Sequence, residues 1–157
     1  MSVILLGLLG CVKKPSYPIV PVITFQSMVV NSNGSATLKV NFTDGDGDIG
    51  YPNDETGAPP DFILEVQQQD ASGNYYTITE PGIINNPGTG DTTVFQYHIP
   101  DITPDGKYKA LSGQIQIALT SSNWYIADNI NERLVVWITD RAGHVSNRVI
   151  TPAVVTP

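Results

Sequence analysis

Residues 35–43 alternate without a break: Ala36, Leu38, Val40 and Phe42 are apolar, and Ser35, Thr37, Lys39 and Asn41 between them are polar. Successive side chains of an extended strand point to opposite faces, so a period of two buries one face and wets the other. The pattern recurs at Phe62, Leu64 and Val66, and again at Leu111, Gly113, Ile115, Ile117 and Leu119. Residues 134–139 form a more continuous apolar run, as a central strand buried on both faces would. Further strands are predicted at 22–30, 75–79, 93–99 and 145–151, which makes eight. Turn signals separate them: Asn31-Ser32-Asn33-Gly34, Asp70-Ala71-Ser72-Gly73-Asn74 and Asp140-Arg141-Ala142-Gly143-His144. No segment carries a convincing helical period. The expectation is an all-β chain, an antiparallel sandwich of immunoglobulin or fibronectin type with about 7–8 strands.

The chain has 157 residues, enough for one domain that needs no disulfide staple. Apolar residues make up 41%, which argues against disorder, and 26 residues are Gly or Pro (14 and 12), which suits a turn-rich fold. The net charge of −7 with only 8 basic residues excludes a nucleic-acid partner on electrostatic grounds. A single cysteine, Cys11, excludes an internal disulfide and a multi-cysteine zinc site.

Cys11 ends an apolar run, V-I-L-L-G-L-L, at residues 3–9. This run is too short to span a bilayer and fits the apolar region of a secretory signal. Leu8-Leu9-Gly10-Cys11 resembles the bacterial lipobox, which implies cleavage after Gly10 and diacylation of the Cys11 thiol. Residues 1–10 are then a lipoprotein signal peptide, 11–21 a lipidated, proline-rich tether, and 22–157 the sandwich domain. No basic residue precedes the apolar run. Extended at about 3.1 Å per residue, the tether would lift the domain about 30 Å off the lipid, with Lys13 and Lys14 at the headgroups. The expected address is the cell envelope, lipid-anchored at the outer membrane. In Bacteroidota-type lipoproteins an acidic cluster after the lipidated cysteine resembles a surface-export signal; none follows Cys11, which by that resemblance favours the periplasmic face.

One loop carries chemistry: Asp44-Gly45-Asp46-Gly47-Asp48-Ile49-Gly50. Carboxylates on alternate residues, separated by glycines, can curl around a hard cation, and calcium takes six to eight oxygens. Counted as an EF-hand loop, Asp44, Asp46 and Asp48 hold the first, third and fifth places. The Gly50 carbonyl holds the seventh and Glu55 the twelfth. Ile49 stands where the sharp-turn glycine belongs, and no helices flank the segment, so the expectation is an EF-like loop between strands. The predicted ligands are Asp44, Asp46, Asp48 and Glu55, for a structural Ca2+. In an immunoglobulin-like strand order the 140–144 turn lies at the same end, where Asp140 can add a ligand.

Three stretches together carry a family resemblance: F-T-D-G-D-G-D-I-G from Phe42, I-T-P-D-G-K-Y-K-A-L-S-G-Q-I from Ile102, and I-T-D-R-A-G-H-V-S-N-R-V-I-T-P from Ile138. They resemble a group of small Bacteroidota lipoproteins that carry one immunoglobulin-like domain and no assigned activity. The resemblance spans most of residues 36–152 and implies fold and address, not chemistry. It also implies a structured crossover over residues 102–111.

Catalytic constellations are weak. The histidines are His98 and His144, and no nucleophile elbow, zincin helix or phosphate loop is present. The leading expectation is a non-enzymatic binding or assembly module that meets the membrane through its anchor and an envelope protein or glycan through its domain. A glycan-binding module of a polysaccharide-uptake system is the alternative, with Tyr75-Tyr76 and Trp124-Tyr125 as stacking candidates, against the plainer expectation that Trp137 and one residue of each pair fill the core. An enzyme is the third.

Overall fold

The computed structural model describes residues 15–52, 55–77, 94–124 and 128–157. Among these the regular structure is nine β-strands and one 3-10 turn, Ser121–Asn123. The strands are β1 Val22–Val30, β2 Ala36–Asp44, β3 Phe62–Gln69, β4 Tyr75–Thr77, β5 Val94–Tyr97, β6 Leu111–Leu119, β7 Asn131–Ile138, β8 Val149–Ile150 and β9 Val154–Val155.

They form two antiparallel sheets. The smaller has the order β1-β2-β6, paired from Val22↔Thr43 to Val30↔Ala36 and from Ala36↔Leu119 to Asp44↔Leu111. The larger runs β4-β3-β7-β8. One edge of β3 is shared, β5 pairing its first half and β4 its last three residues. The far edge of β7 is likewise shared by β8 and β9. Strands one, two and six thus oppose strands three, seven and eight, the Greek-key partition of an immunoglobulin-type sandwich. Strand β9 has no counterpart among the predicted strands, and the predicted strand at 145–151 is reduced to Val149–Ile150 plus a bridge between Thr139 and Val145. Residues 101–110 hold no regular element, so the predicted crossover is an irregular connection. Hydrogen bonds such as Lys109 Nζ to the Pro104 carbonyl (2.6 Å) brace it.

The alternation decides which side chains meet between the sheets. Leu38, Val40 and Phe42 of β2 face Phe62, Leu64 and Val66 of β3 and Leu134, Val136 and Ile138 of β7, all buried. Thr37, Lys39 and Asn41 lie on the opposite, wetter face of β2. Of the aromatic residues expected to fill the core, Trp124 does so and Trp137 does not. Trp124 is wholly buried, and its indole N–H donates to the Gly34 carbonyl at 2.7 Å. Trp137 instead lies on the outer face of the large sheet, with the Arg148 guanidinium 4.2 Å from its ring centre. A buried indole needs a partner for its N–H, and the turn backbone at Gly34 supplies it.

Registers place the chain ends. Strand β2 ends at Asp44, β3 begins at Phe62, β6 begins at Leu111 and β7 ends at Ile138, all at one end of the sandwich. Strand β1 begins there too, and Asn147 pins it. The Asn147 amide accepts from the Ile23 N–H and donates to the Ile23 carbonyl, both at 2.9 Å. The residues described before β1 pack against the loop that follows β2. Pro15, Ser16 and Tyr17 line a groove with Gly45, Asp46 and residues 107–110, and Pro21 is buried. A Cβ on Gly45 would lie 2.5 Å from the Tyr17 carbonyl oxygen and 2.7 Å from that of Pro18, so this approach requires glycine. Within the stretch expected as a tether, residues 15–21 lie against the end of the sandwich where β2 stops, and residues 11–14 fall outside the described residues.

Candidate functional site: a carboxylate cluster at one end of the sandwich

The loop after β2 begins by turning on its own first carboxylate. Asp44, fully buried, accepts through Oδ2 from the Gly47 N–H (2.7 Å) and the Asp48 N–H (3.1 Å). This folds Asp46 and Asp48 back beside Asp44. The segment then docks on the turn after β7. The Arg141 N–H donates to the Asp48 carbonyl (3.2 Å), and the Ala142 N–H donates to Asp48 Oδ2 (3.1 Å). That docking delivers Asp140. One carboxylate oxygen from each of Asp44, Asp46, Asp48 and Asp140 lies within 4.8 Å of the others.

Burial makes this arrangement costly as it stands. Oδ1 of Asp44, of Asp46 and of Asp48 are each buried without a hydrogen-bond partner. Unpartnered buried carboxylate oxygens are rare because each forfeits its solvation. Desolvation, with repulsion from Asp46 and Asp48, pushes the Asp44 carboxyl up from 3.8 to about 6, against the opposing bonds from Gly47 and Asp48. Desolvation and the charges of Asp140 and Asp46 raise Asp48 as well. Asp140 is held from behind. Its Oδ1 accepts from the His144 N–H (2.7 Å) and its Oδ2 meets His144 Nδ1 (2.8 Å). The hydrogen bond and the charge of Asp140 raise the His144 imidazole above its ordinary value. A histidine so placed fixes the orientation of a ligating carboxylate.

The four carboxylates can hold a metal ion. Three of the expected ligands, Asp44, Asp46 and Asp48, are in the group. Glu55 is not. It is exposed and lines a separate cleft with Tyr51, Pro52 and His98. The Gly50 carbonyl, expected as a further ligand, accepts from the Arg141 guanidinium. The cause lies at residues 49–51. Ile49 is fully buried in the core, and Gly50 takes φ of +82°. Tyr51 then joins the body of the fold: its N–H donates to the Ile99 carbonyl (3.0 Å), and its own carbonyl accepts from the Asp101 N–H (2.9 Å). The chain leaves the acidic pocket before an EF-hand count can reach its twelfth place.

Arg141 stitches this end together. It bonds the Gly50 carbonyl, Asp101 Oδ1 at 2.9 Å and the Thr103 hydroxyl. Hydrogen bonds from the Thr103 hydroxyl and N–H, then from Arg141, draw the Asp101 carboxyl down to about 2. Asp140 and Arg141 are adjacent yet serve opposite ends of the same device, one facing the acidic pocket and the other clamping its rim. Asp61, also fully buried, accepts from the Ile99 N–H at 2.7 Å and is raised by burial.

The aromatic residues that suggested sugar stacking are mostly engaged. Trp124 is inside. The Arg133 guanidinium lies 4.0 Å from the Tyr75 ring centre, as Arg148 lies over Trp137. Tyr76 is 49% exposed, and Tyr125 falls outside the described residues. His98 is exposed at the end of β5 and lines the cleft that holds Glu55. No helix among the described residues is long and apolar enough to cross a membrane. No protein-family model, curated protein or solved structure matches this chain.

Proposed function

We propose that this chain is a non-enzymatic module of a bacterial cell envelope, anchored by lipid at Cys11 and stabilised by one structural calcium ion. The observation that carries the metal reading is the set of three buried, unpartnered carboxylate oxygens at Asp44, Asp46 and Asp48, beside a fourth carboxylate at Asp140. Four carboxylates and no nitrogen or sulfur ligand suit a hard cation. Oxygens on one calcium at 2.3–2.6 Å lie up to about 5 Å apart, so mutual separations within 4.8 Å are compatible with a single calcium ion. Magnesium, at about 2.0–2.1 Å, needs all four within about 4.2 Å and keeps its waters. A binding constant of about 10⁻⁴ to 10⁻³ M suffices in a calcium-rich exterior.

The lipobox at residues 8–11, the apolar run before it and the absence of any other cysteine support the anchor. The outer membrane, periplasmic face, is the favoured address. The resemblance to small Bacteroidota lipoproteins points the same way. Protein purified from calcium-containing medium is expected to carry about one calcium per chain by elemental analysis, and the Asp46→Ala/Asp48→Ala variant none. Cys11→Ser is expected to move the protein from the detergent phase to the soluble phase. Equal metal content in wild type and double variant contradicts the calcium reading, and unchanged partitioning of Cys11→Ser contradicts the anchor.

A further inference from the structure

We infer that the metal-loop end of the sandwich faces the membrane surface and that the hairpins at residues 31–35 and 70–74 point away from it. The inference rests on the Cys11 anchor proposed above and adds a direction to it.

The argument is one of chain length. Pro15 is already part of the folded body, in the groove with Gly45, Asp46 and Lys107. Four steps of chain separate Cys11 from Pro15. At no more than about 3.6 Å each, they reach about 14 Å. Strand β2 alone, nine residues at about 3.3 Å, is about 30 Å long. The anchor therefore holds the metal end within half a domain length of the lipid, while the opposite end lies a full strand further along the body. The Asn147–Ile23 bonds and the close packing of Tyr17 and Pro18 on Gly45 prevent the first strand from peeling away to lengthen the leash.

The surface chemistry of that end fits a lipid interface. Ile19, Val20, Ile102, Tyr108 and Val145 are exposed there, at 57%, 41%, 37%, 59% and 52%. Exposed Lys107 stands beside Tyr108 on the rim of the groove, next to the exit of the chain. Tyrosine and lysine suit the boundary between headgroups and water. The outer face of the small sheet, by contrast, presents Ser112, Gln114 and Gln116 from β6 and Asn41 from β2, with exposed apolar residues confined to Val22 and Val29 near the two ends of β1, a mainly polar surface unsuited to lying flat on lipid. A divalent ion in the acidic pocket would sit close to that boundary and offset the carboxylates nearest the headgroups.

The test uses full-length lipidated protein in vesicles of phosphatidylethanolamine and phosphatidylglycerol that carry a headgroup nitroxide lipid. One new cysteine is introduced and labelled with a fluorophore, at Asp105→Cys on the metal end or at Ser72→Cys on the far hairpin. The Cys11 thiol, acylated, takes no label. Several-fold stronger quenching at position 105 than at 72 is expected. Equal quenching, or stronger quenching at 72, in vesicle-bound protein overturns the orientation and leaves the anchor standing. Protein that stays in the aqueous fraction overturns both.

Discussion

The Asp48 carboxylate accepts a hydrogen bond from the backbone N–H of Ala142 at 3.1 Å, across 94 residues of chain. This contact ties the loop between β2 and β3 to the turn between β7 and β8, and it brings Asp140 to Asp44, Asp46 and Asp48. The acidic site is therefore a property of two loops at one end of the sandwich, not of one sequence motif.

Asp140 and Glu55 consequently trade the roles that a linear count assigns them. Asp140→Asn is expected to weaken calcium binding by about tenfold or more, comparable to Asp46→Asn, whereas Glu55→Gln leaves it unchanged. Isothermal titration of the three variants decides the matter. A loss with Glu55→Gln and none with Asp140→Asn would restore the EF-like geometry.

Strands β2 and β6 were legible because one drier and one wetter face leave a period of two in the residues; β3 showed the same period at Phe62, Leu64 and Val66 although Ile63 and Glu65 on its other face are buried too. The shared end of loops 44–60 and 140–144 was legible as well, since an immunoglobulin-type strand order dictates it. Three things were not legible. Strand β9 is two valines between prolines, too short for a period. Which tryptophan enters the core depends on where an N–H finds a carbonyl, and Gly34 is far from Trp124 in sequence. The separation of Glu55 from the cluster follows from Ile49 entering the core and Tyr51 pairing with residues 99–101, contacts made by a distant part of the chain.

Stability in the absence of calcium is expected to fall as pH rises from about 4 to 7. Asp44, raised from 3.8 to about 6, holds its proton more tightly folded than unfolded. Its contribution is full below the unfolded value and is lost as pH rises through the folded one. The shift corresponds to roughly 3 kcal/mol. Asp48 and Asp61 are raised in the same direction. Asp101, lowered to about 2, acts in the opposite sense, but its gain is complete by about pH 4. Saturating calcium removes the Asp44 and Asp48 contributions and leaves that of Asp61. Urea titrations at pH 4.5 and 7, with chelator and with calcium, are expected to show a smaller pH difference in calcium. An equal difference in both contradicts a metal held by these two carboxylates.

Trp124 anchors the end opposite the acidic cluster. Trp124→Phe keeps most of the buried volume but leaves the Gly34 carbonyl without the indole N–H, at a cost of about 1–3 kcal/mol. Trp137→Phe, on the outer face, is expected to cost less than about 1 kcal/mol through a weaker stack with Arg148. Chemical denaturation of the two variants separates a core indole from a surface one. The reverse order would return Trp137 to the core.

The β1 clamp should be felt as a global loss. Asn147→Ala removes both hydrogen bonds to Ile23 and is expected to destabilise the domain by about 1–3 kcal/mol. Hydrogen exchange at the start of β1, residues 22–25, should accelerate more than exchange in β3. Uniform acceleration across both strands contradicts a local pin at this end of the sandwich.

The most direct measurement is the melting temperature of the full-length chain titrated with calcium, with Asp46→Ala/Asp48→Ala as control. Binding to the native state alone, at 10 mM calcium and a dissociation constant of about 10⁻⁴ to 10⁻³ M, adds about 1.4–2.7 kcal/mol. For a domain of this size that is a rise of about 4–10 °C. The wild type is expected to rise by this amount, with a smaller rise in magnesium, and the double variant to stay level. A wild-type melting temperature unchanged up to 10 mM calcium, or a rise of the same size in the double variant, would contradict the account.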